Sequence, residues 1–238
     1  MFKYSAKEVN KIVNDTNFNK NICEKVLRLF SILNFINNSE FKDALSLKGG
    51  TAINLFILNL PRLSIDIDLD FTLSLNKEEM LSYRAKIDYL IRGFMTDEGY
   101  ILSYKSKFIH TLDSYVYSYL TTSGSKNVLK IEINYSNRMH ILKTNIKKST
   151  NLLGETVSIN CLADYELIGS KINALLIRTT PRDIYDVYNI IKNMFILDSN
   201  DNEFINSMNN KCYNPNIIFK NYQIEDISNH PMALWKTR

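Results

Sequence analysis

Asp66, Asp68 and Asp70 stand at alternate positions in the stretch Ile65-Asp66-Ile67-Asp68-Leu69-Asp70-Phe71. In a β-strand side chains alternate between faces, so the acids share one face while Ile65, Ile67, Leu69 and Phe71 share the other. An apolar underside with an acidic upper face describes a strand packed on a core, its carboxylates aimed into a cleft. Carboxylates gathered on one face repel one another unless a cation sits among them. Such hard oxygen ligands suit Mg²⁺ (or Mn²⁺), which keeps several waters and takes its remaining ligands from substrate phosphates. A solvated acidic sheet face has the same pattern, so the strand alone leaves both readings open.

A second feature lies just upstream. Leu45-Ser46-Leu47 is an apolar run that leads into Lys48-Gly49-Gly50-Thr51. Glycine lacks a Cβ, so its backbone can take positive φ and bring its N–H close to a phosphate. Thr51 then opens an expected helix, TAINLFIL, whose N-terminus adds partial positive charge. A Gly-Gly pair before a helix is also a common plain turn. In this order, with Arg62 and Ser64 just ahead of the acids, the set describes one compact arrangement for holding a metal-bound nucleoside triphosphate.

A third feature is the segment from Asp164 to Phe195. Asp164, Lys171 and Arg178 fall along one helical line beside Leu167, Ile168, Ala174 and Leu175. Lys171 therefore interrupts an apolar stripe. A lysine there is costly to bury without a partner, so it either snorkels to solvent or points into the cleft at an anion. Thr180-Pro181 marks the start of a following helix, since proline suits the first helical position. Asp183, Asp186 and Ile190 share a face of that helix. Asp183 also reads as an acid placed to suit the helix dipole, and Asp186 as half of a surface salt bridge.

The elements that must position these groups come from periodicity. Two helices are expected within 5–37: Ser5 with Glu8 forms a capping-box pattern, and Ile22, Val26, Leu29, Phe30, Leu33 and Ile36 make an apolar stripe. Asn76 with Glu79 starts another helix, which Gly99 ends. Strands are expected at 100–108, 114–121 and 127–135, with Ser123-Gly124-Ser125 turning between the last two, and a short one near 156–160 after a turn at Asn151 and Gly154. Alternation in 128–135 puts Lys130, Glu132 and Asn134 on one face and Leu129, Ile131 and Ile133 on the other.

Gly49-Gly50-Thr51 followed by Arg62-Leu63-Ser64-Ile65-Asp66-Ile67-Asp68 resembles the nucleotidyltransferase signature in the form seen in the AbiEii/AbiGii toxin family, within the DNA polymerase β-like superfamily. The gap of fourteen residues between Thr51 and Asp66 is slightly longer than the superfamily's, and Thr replaces the commoner Ser. Both departures fit the AbiEii branch. The block KINALLIRTTPRDIYDVYNI is similar to that family's Lys-x-x-Ala-Leu-x-x-Arg-x-x-x-Arg-Asp-x-x-Asp motif. The resemblance implies that Asp66 and Asp68 bind metal and that Glu132, where the superfamily usually has Asp, is the third carboxylate. It implies that Lys48, Gly49, Gly50, Thr51, Arg62 and Ser64 hold the nucleotide, that Lys171 contacts the triphosphate and that Asp183 completes the active site. Arg178 and Arg182 are placed to bind phosphate or orient the acids. Asp70, at the far end of its row, is expected to matter little.

The chain has 238 residues, 45% of them hydrophobic and 23% charged, with a formal net charge of +4. That is ordinary globular composition, long enough to bury a sizeable core. Cys23, Cys161 and Cys212 are too scattered for a disulfide framework or a zinc site. No apolar run reaches the length of a membrane span and no leader pattern is visible, so a cytoplasmic location without membrane contact is expected. Lys143, Lys147 and Lys148, and likewise Lys3, Lys7 and Lys11, read first as solvated charge and second as a basic surface.

These readings converge on an α/β (α+β) fold: a nucleotidyltransferase core with a mixed twisted sheet flanked by helices, over 1–160, and a mainly helical part over 161–238 packed on it. The expected activity is metal-dependent transfer of a nucleoside monophosphate from a nucleoside triphosphate to an acceptor hydroxyl. What the resemblance adds is biology: a toxin of a toxin–antitoxin or phage-defence system, a cognate antitoxin, and an RNA acceptor such as the 3′ end of tRNA. A nucleotide-binding module without turnover, and a metal-dependent phosphohydrolase or nuclease, are the alternatives.

Overall fold

The computed structural model describes residues 4–16, 18–58, 64–138 and 140–193. Expectations for Lys3, Arg62 and 194–238 lie outside these residues. The elements, in order, are α1 (Ala6–Thr16), α2 (Lys20–Asn38), β1 (Leu45–Lys48), α3 (Gly49–Phe56), β2 (Ile67–Phe71), α4 (Lys77–Asp97), β3 (Ile101–Leu102), β4 (Lys107–Ile109), β5 (Leu112–Leu120), β6 (Lys126–Asn134), β7 (Asn145–Thr150), β8 (Thr156–Cys161), α5 (Asp164–Arg178) and α6 (Pro181–Asn193).

Several boundaries follow from local chemistry. The Ser5–Glu8 box closes in both directions, with Glu8 Oε2 2.7 Å from the Ser5 amide and Ser5 Oγ 3.3 Å from the Glu8 amide. Asn76 and Glu79 form the same reciprocal cap on α4. Gly99, at φ +81°, lets the chain leave α4 while the Tyr100 amide still bonds the Met95 carbonyl at 2.9 Å.

Eight strands form one mixed sheet in the order β3-β5-β6-β2-β1-β8-β7, with β4 added to β5. The pairs β2–β6 and β1–β8 are parallel; the other pairings are antiparallel. One face is apolar: Ile67, Leu69 and Phe71 of β2 lie beside Leu129, Ile131 and Ile133 of β6 and Tyr115 and Tyr117 of β5, all buried. Helices α2 and α4 meet through the stacked rings of Phe35 and Phe94, with centroids 4.0 Å apart. They reach the sheet through Tyr83 against Phe71 and through the Arg28 guanidinium over the Tyr119 ring. This is the mixed sheet flanked by helices that the sequence predicts.

Two details differ from expectation. The segment 100–108 is not one strand. Ser106 turns back to the Ser103 carbonyl at 3.0 Å, and its hydroxyl accepts the Val116 amide at 3.0 Å, so a side chain replaces one rung and splits the edge into β3 and β4. Strand β7 is unforeseen. It is an edge strand reading Asn-Ile-Lys-Lys-Ser-Thr, mostly exposed, so it lacks the alternation that marks a half-buried strand.

Candidate active site

The site forms where β1 runs out of the sheet into α3. Gly49 takes φ +72°, which only glycine adopts at no steric cost. A Cβ there would lie 2.6 Å from Asp68 Oδ2. The Asp68 carboxylate is thus pressed against bare backbone at the N-terminus of α3, where no side chain caps the helix and the dipole favours negative charge.

Parallel pairing of β2 with β6 places Asp68 directly opposite Glu132. The antiparallel pairing of β1 with β2 places Lys48 opposite Asp68 from the other side. The electrostatics reflect this crowding. Burial, then the Glu132 and Asp66 charges, push the Asp68 carboxyl up to about 6, with Lys48 and Lys130 pulling the other way. Lys130, two residues before Glu132 on the same face, binds Glu132 Oε1 at 2.8 Å.

The other predicted residues have definite places. Thr51 is buried, and its hydroxyl donates to the Asp66 carbonyl at 2.5 Å and lies 2.9 Å from Ser64 Oγ. Thr51 and Ser64 thus pin the approach to β2 onto α3. The Gly50 carbonyl is taken by Asn54 Nδ2 at 2.8 Å, which leaves the amide side of the Gly-Gly turn as the face suited to phosphate. Asp70 is on the same strand face as Asp68 but is not open to the cleft. It is wholly buried, and Lys48 Nζ sits 2.5 Å from its Oδ1. Lys25 on α2 is a charged neighbour that periodicity gave no reason to choose: burial lowers its ammonium's pKa, and the Asp66 charge opposes that.

The second block forms its own cluster between α5 and α6. Lys171 Nζ lies 2.8 Å from Asp183 Oδ1 and 2.7 Å from Asp186 Oδ2, and all three side chains are buried. Lys171 therefore does point at an anion, but the anions here are carboxylates of the following helix. Asp186 is a buried ion-pair partner, not a surface one. Burial alone would raise the Asp183 carboxyl, but hydrogen bonds from Lys171, Thr180 and Arg178 overcome it and hold the group at about 2. Arg178 stays largely exposed while gripping Asp183 with two nitrogens, at 3.1 and 3.0 Å. Arg182 is exposed. Helix α5 packs on α3, so this cluster is carried by the helix next to the one that opens the site.

A mixed sheet with acids on neighbouring strands, one of them against a glycine turn at a helix N-terminus, is an arrangement suited to a nucleotidyltransferase. A family model described as "Nucleotidyl transferase AbiEii toxin, Type IV TA system" matches residues 31–233. The chain belongs to the AbiEii family of nucleotidyltransferase toxins of type IV toxin–antitoxin systems. Among solved structures the chain is similar to MenT4, a nucleotidyltransferase toxin from Mycobacterium tuberculosis H37Rv, with TM-score 0.60 and 13% identity, covering 88% of this chain and 69% of that one. At that identity the likeness concerns the fold. No curated protein sequence matches the chain. No helix among the described residues is long and apolar enough to cross a membrane.

Proposed function

We propose that this enzyme moves a nucleoside monophosphate from a nucleoside triphosphate to an acceptor hydroxyl, with a divalent cation bound at Asp66 and Asp68 and Glu132 in support. The observation that carries the reading is Asp68, in register with Glu132 on the neighbouring parallel strand and itself set against the backbone of Gly49. The donor set fits Mg²⁺ or Mn²⁺. Burial, and then the charges of Glu132 and Asp66, raise the Asp68 carboxyl to about 6, and that crowding of negative charge is what a cation relieves. Among the described residues no three His, Cys, Asp or Glu side chains converge into a ready metal cage. Mg²⁺ suits such a site because it binds through one or two carboxylates and completes its shell with water and phosphate.

When bound, the cation supplies neutralisation of phosphate charge and a lowered pKa for the attacking hydroxyl. The chain's own groups do the rest. The amides at the start of α3 face the polyphosphate, and Lys48, at the same turn, adds a full positive charge. Thr51 and Ser64 keep the acid strand at a fixed distance from that turn. Lys171 and Asp183 act as a unit on α5 and α6, with the aspartate orienting the ammonium toward charge that develops on the phosphates. Arg62 belongs to the nucleotide-binding set by its place in the motif. Transfer then needs little further chemistry, because phosphoryl-type reactions depend mostly on positioning and electrostatics.

The acceptor we favour is an RNA 3′-hydroxyl, with tRNA as the first candidate, in the cytoplasm and under control of a cognate antitoxin; family membership supports this. The test is incubation with each α-labelled nucleoside triphosphate, Mg²⁺ and total RNA, followed by gel separation, with Asp68→Asn as control. Label transferred to one RNA class by the wild type alone is the expected result. RNA that is shortened without label refutes transfer in favour of a nuclease, and no change with any nucleotide refutes an RNA acceptor.

A further inference from the structure

Asp70 poses a problem for a simple acidic row. It is on the strand face that carries Asp68, yet it is wholly buried and is occupied on every side. Lys48 Nζ binds Oδ1 at 2.5 Å. Asn137 Nδ2 donates to Oδ2 at 3.3 Å. His140 Nε2 faces Oδ2 at 3.8 Å, and this nitrogen is buried without a hydrogen-bond partner. The other ring nitrogen, Nδ1, lies 3.1 Å from Glu166 Oε2, and Glu166 Oε1 accepts the Ile141 amide at 2.8 Å. Glu166 is itself fully buried in the first turn of α5.

These groups lie in one line, Lys48 of β1, Asp70 of β2, His140 after β6 and Glu166 of α5, bonded at each end and separated by 3.8 Å between Asp70 and His140. A buried carboxylate and a buried imidazole are costly to desolvate, and a core position filled by leucine would serve packing at least as well. What the line accomplishes is to fix one end. Lys48 is the only member whose side chain reaches out, about a quarter exposed. Its position is opposite Asp68 and immediately before Gly49. Lysine is a flexible point charge with three donors. One of those donors, held by Asp70, gives the ammonium a fixed place and leaves the others free for a ligand.

We propose that Asp70 is a positioning residue, backed by His140 and Glu166, that holds the Lys48 ammonium at the mouth of the site where it meets the phosphates of the incoming triphosphate. This rests on the nucleotidyltransferase reading of the site. It gives Asp70 a role distinct from metal binding, and it ties α5, the helix of Lys171, to the turn that receives the nucleotide. The expectation from strand position, that Asp70 matters little, is replaced by one in which its loss weakens nucleotide binding through Lys48.

The test is a cycle of Asp70→Asn, Lys48→Met and the double variant, with triphosphate affinity measured by calorimetry in Mg²⁺ and folding checked by thermal melting. Asp70→Asn should weaken binding about tenfold, the scale of one charge-assisted contact. In the Lys48→Met background it should change affinity no further, because Asp70 acts only through the lysine. A purely structural Asp70 would lower the melting temperature in both backgrounds without moving affinity in the folded fraction. Unchanged affinity in Asp70→Asn, or an equal loss in both backgrounds, overturns the proposal. If Asp70→Asn fails to fold, His140→Gln replaces it in the same cycle. A loss of affinity there that vanishes in the Lys48→Met background supports the tether, and no loss overturns it. A wild type that binds no triphosphate at all refutes the reading of the site itself, and the tether falls with it.

Discussion

Lys171→Met is the substitution on which the two readings of that lysine differ most. The apolar stripe of α5, taken alone, predicts a change that is neutral or slightly stabilising, since an awkward charge is removed. The structure predicts the opposite. The ammonium lies within 2.8 Å of both Asp183 and Asp186, and methionine leaves those buried carboxylates without it. Removing one partner of a buried ion pair costs about 3–5 kcal/mol. Asp183 keeps Arg178 and Thr180, so the lower end, about 3 kcal/mol, is expected. For a chain of this size that corresponds to a fall in Tm of about 6–12 °C. The pH dependence has a definite sign. Asp183 sits at about 2 in the folded protein, below its unfolded value, so it contributes stability above about pH 4 that is lost as pH falls through the folded value. Without Lys171 its folded pKa rises, the variant loses that contribution, and its deficit against wild type is full at about pH 7 and smaller at about pH 2.5, having narrowed only below the unfolded value near 4. Urea melts at both pH values read this directly. Lys171→Met/Asp186→Leu should regain part of the loss, because both ends of that buried ion pair are removed together, and should remain inactive. A single variant within 0.5 kcal/mol of wild type at pH 7, a limit set by the scatter of surface changes, refutes the cage. Full activity in the folded double variant detaches Lys171 from catalysis.

Asp68→Asn should be inactive but more stable at pH 8, by on the order of 1–2 kcal/mol. The native carboxyl, at about 6, is raised by folding and destabilises the ionised protein, so the gain should disappear as pH falls below about 4, as Tm measured across pH will show. Gly49→Ala puts a methyl where Asp68 Oδ2 lies 2.6 Å away and forces a positive φ on alanine. It should cost about 1–3 kcal/mol by melting and lower transfer about 100-fold, the scale of an ångström-sized misplacement; activity close to wild type would mean the close approach is incidental. Thr51→Val deletes a buried hydroxyl that bonds the Asp66 carbonyl. A loss of about 1–3 kcal/mol is expected in chemical denaturation, with triphosphate affinity falling less than in Lys48→Met.

Much of the site was legible because its signals are local. The Asp-x-Asp alternation, the Gly-Gly turn and the capping pairs at Ser5 and Asn76 each work within a few residues, where geometry follows from chain periodicity. Lys171 and its partners were visible too, as an ammonium and two acids on successive helices, but periodicity cannot say that these charges would face one another. Contacts between distant strands were beyond it altogether. That Asp68 stands beside Glu132 depends on a parallel pairing across the intervening α4 and three strands. The division of the acidic row, with Asp68 on the cleft and Asp70 beneath Lys48, depends on β1 lying antiparallel on the other side. Thr51 entered the nucleotide-holding set by its place in the motif, whereas the bond from its hydroxyl to the Asp66 carbonyl is set by packing that periodicity does not reach.

The parallel junction of β2 and β6 also has a temporal meaning. Parallel strands cannot be joined by a tight hairpin, and the crossover here includes a long helix and an antiparallel meander. Helix α4 and the β5–β6 hairpin are built from nearby contacts and can form early, whereas β2 meets β6 only after that long loop has closed. Asp68 and Glu132 become neighbours at that moment. During synthesis the chain must extend past Asn134 before the two acids can meet, although the Gly-Gly turn and both acids of the motif have long since emerged. A nascent or truncated form ending before β6 therefore carries the Gly-Gly turn and the Asp-x-Asp pair but not the Asp68–Glu132 pairing on which the proposed site depends. For a protein of a toxin family, this topology would withhold the proposed chemistry until β6 has been made.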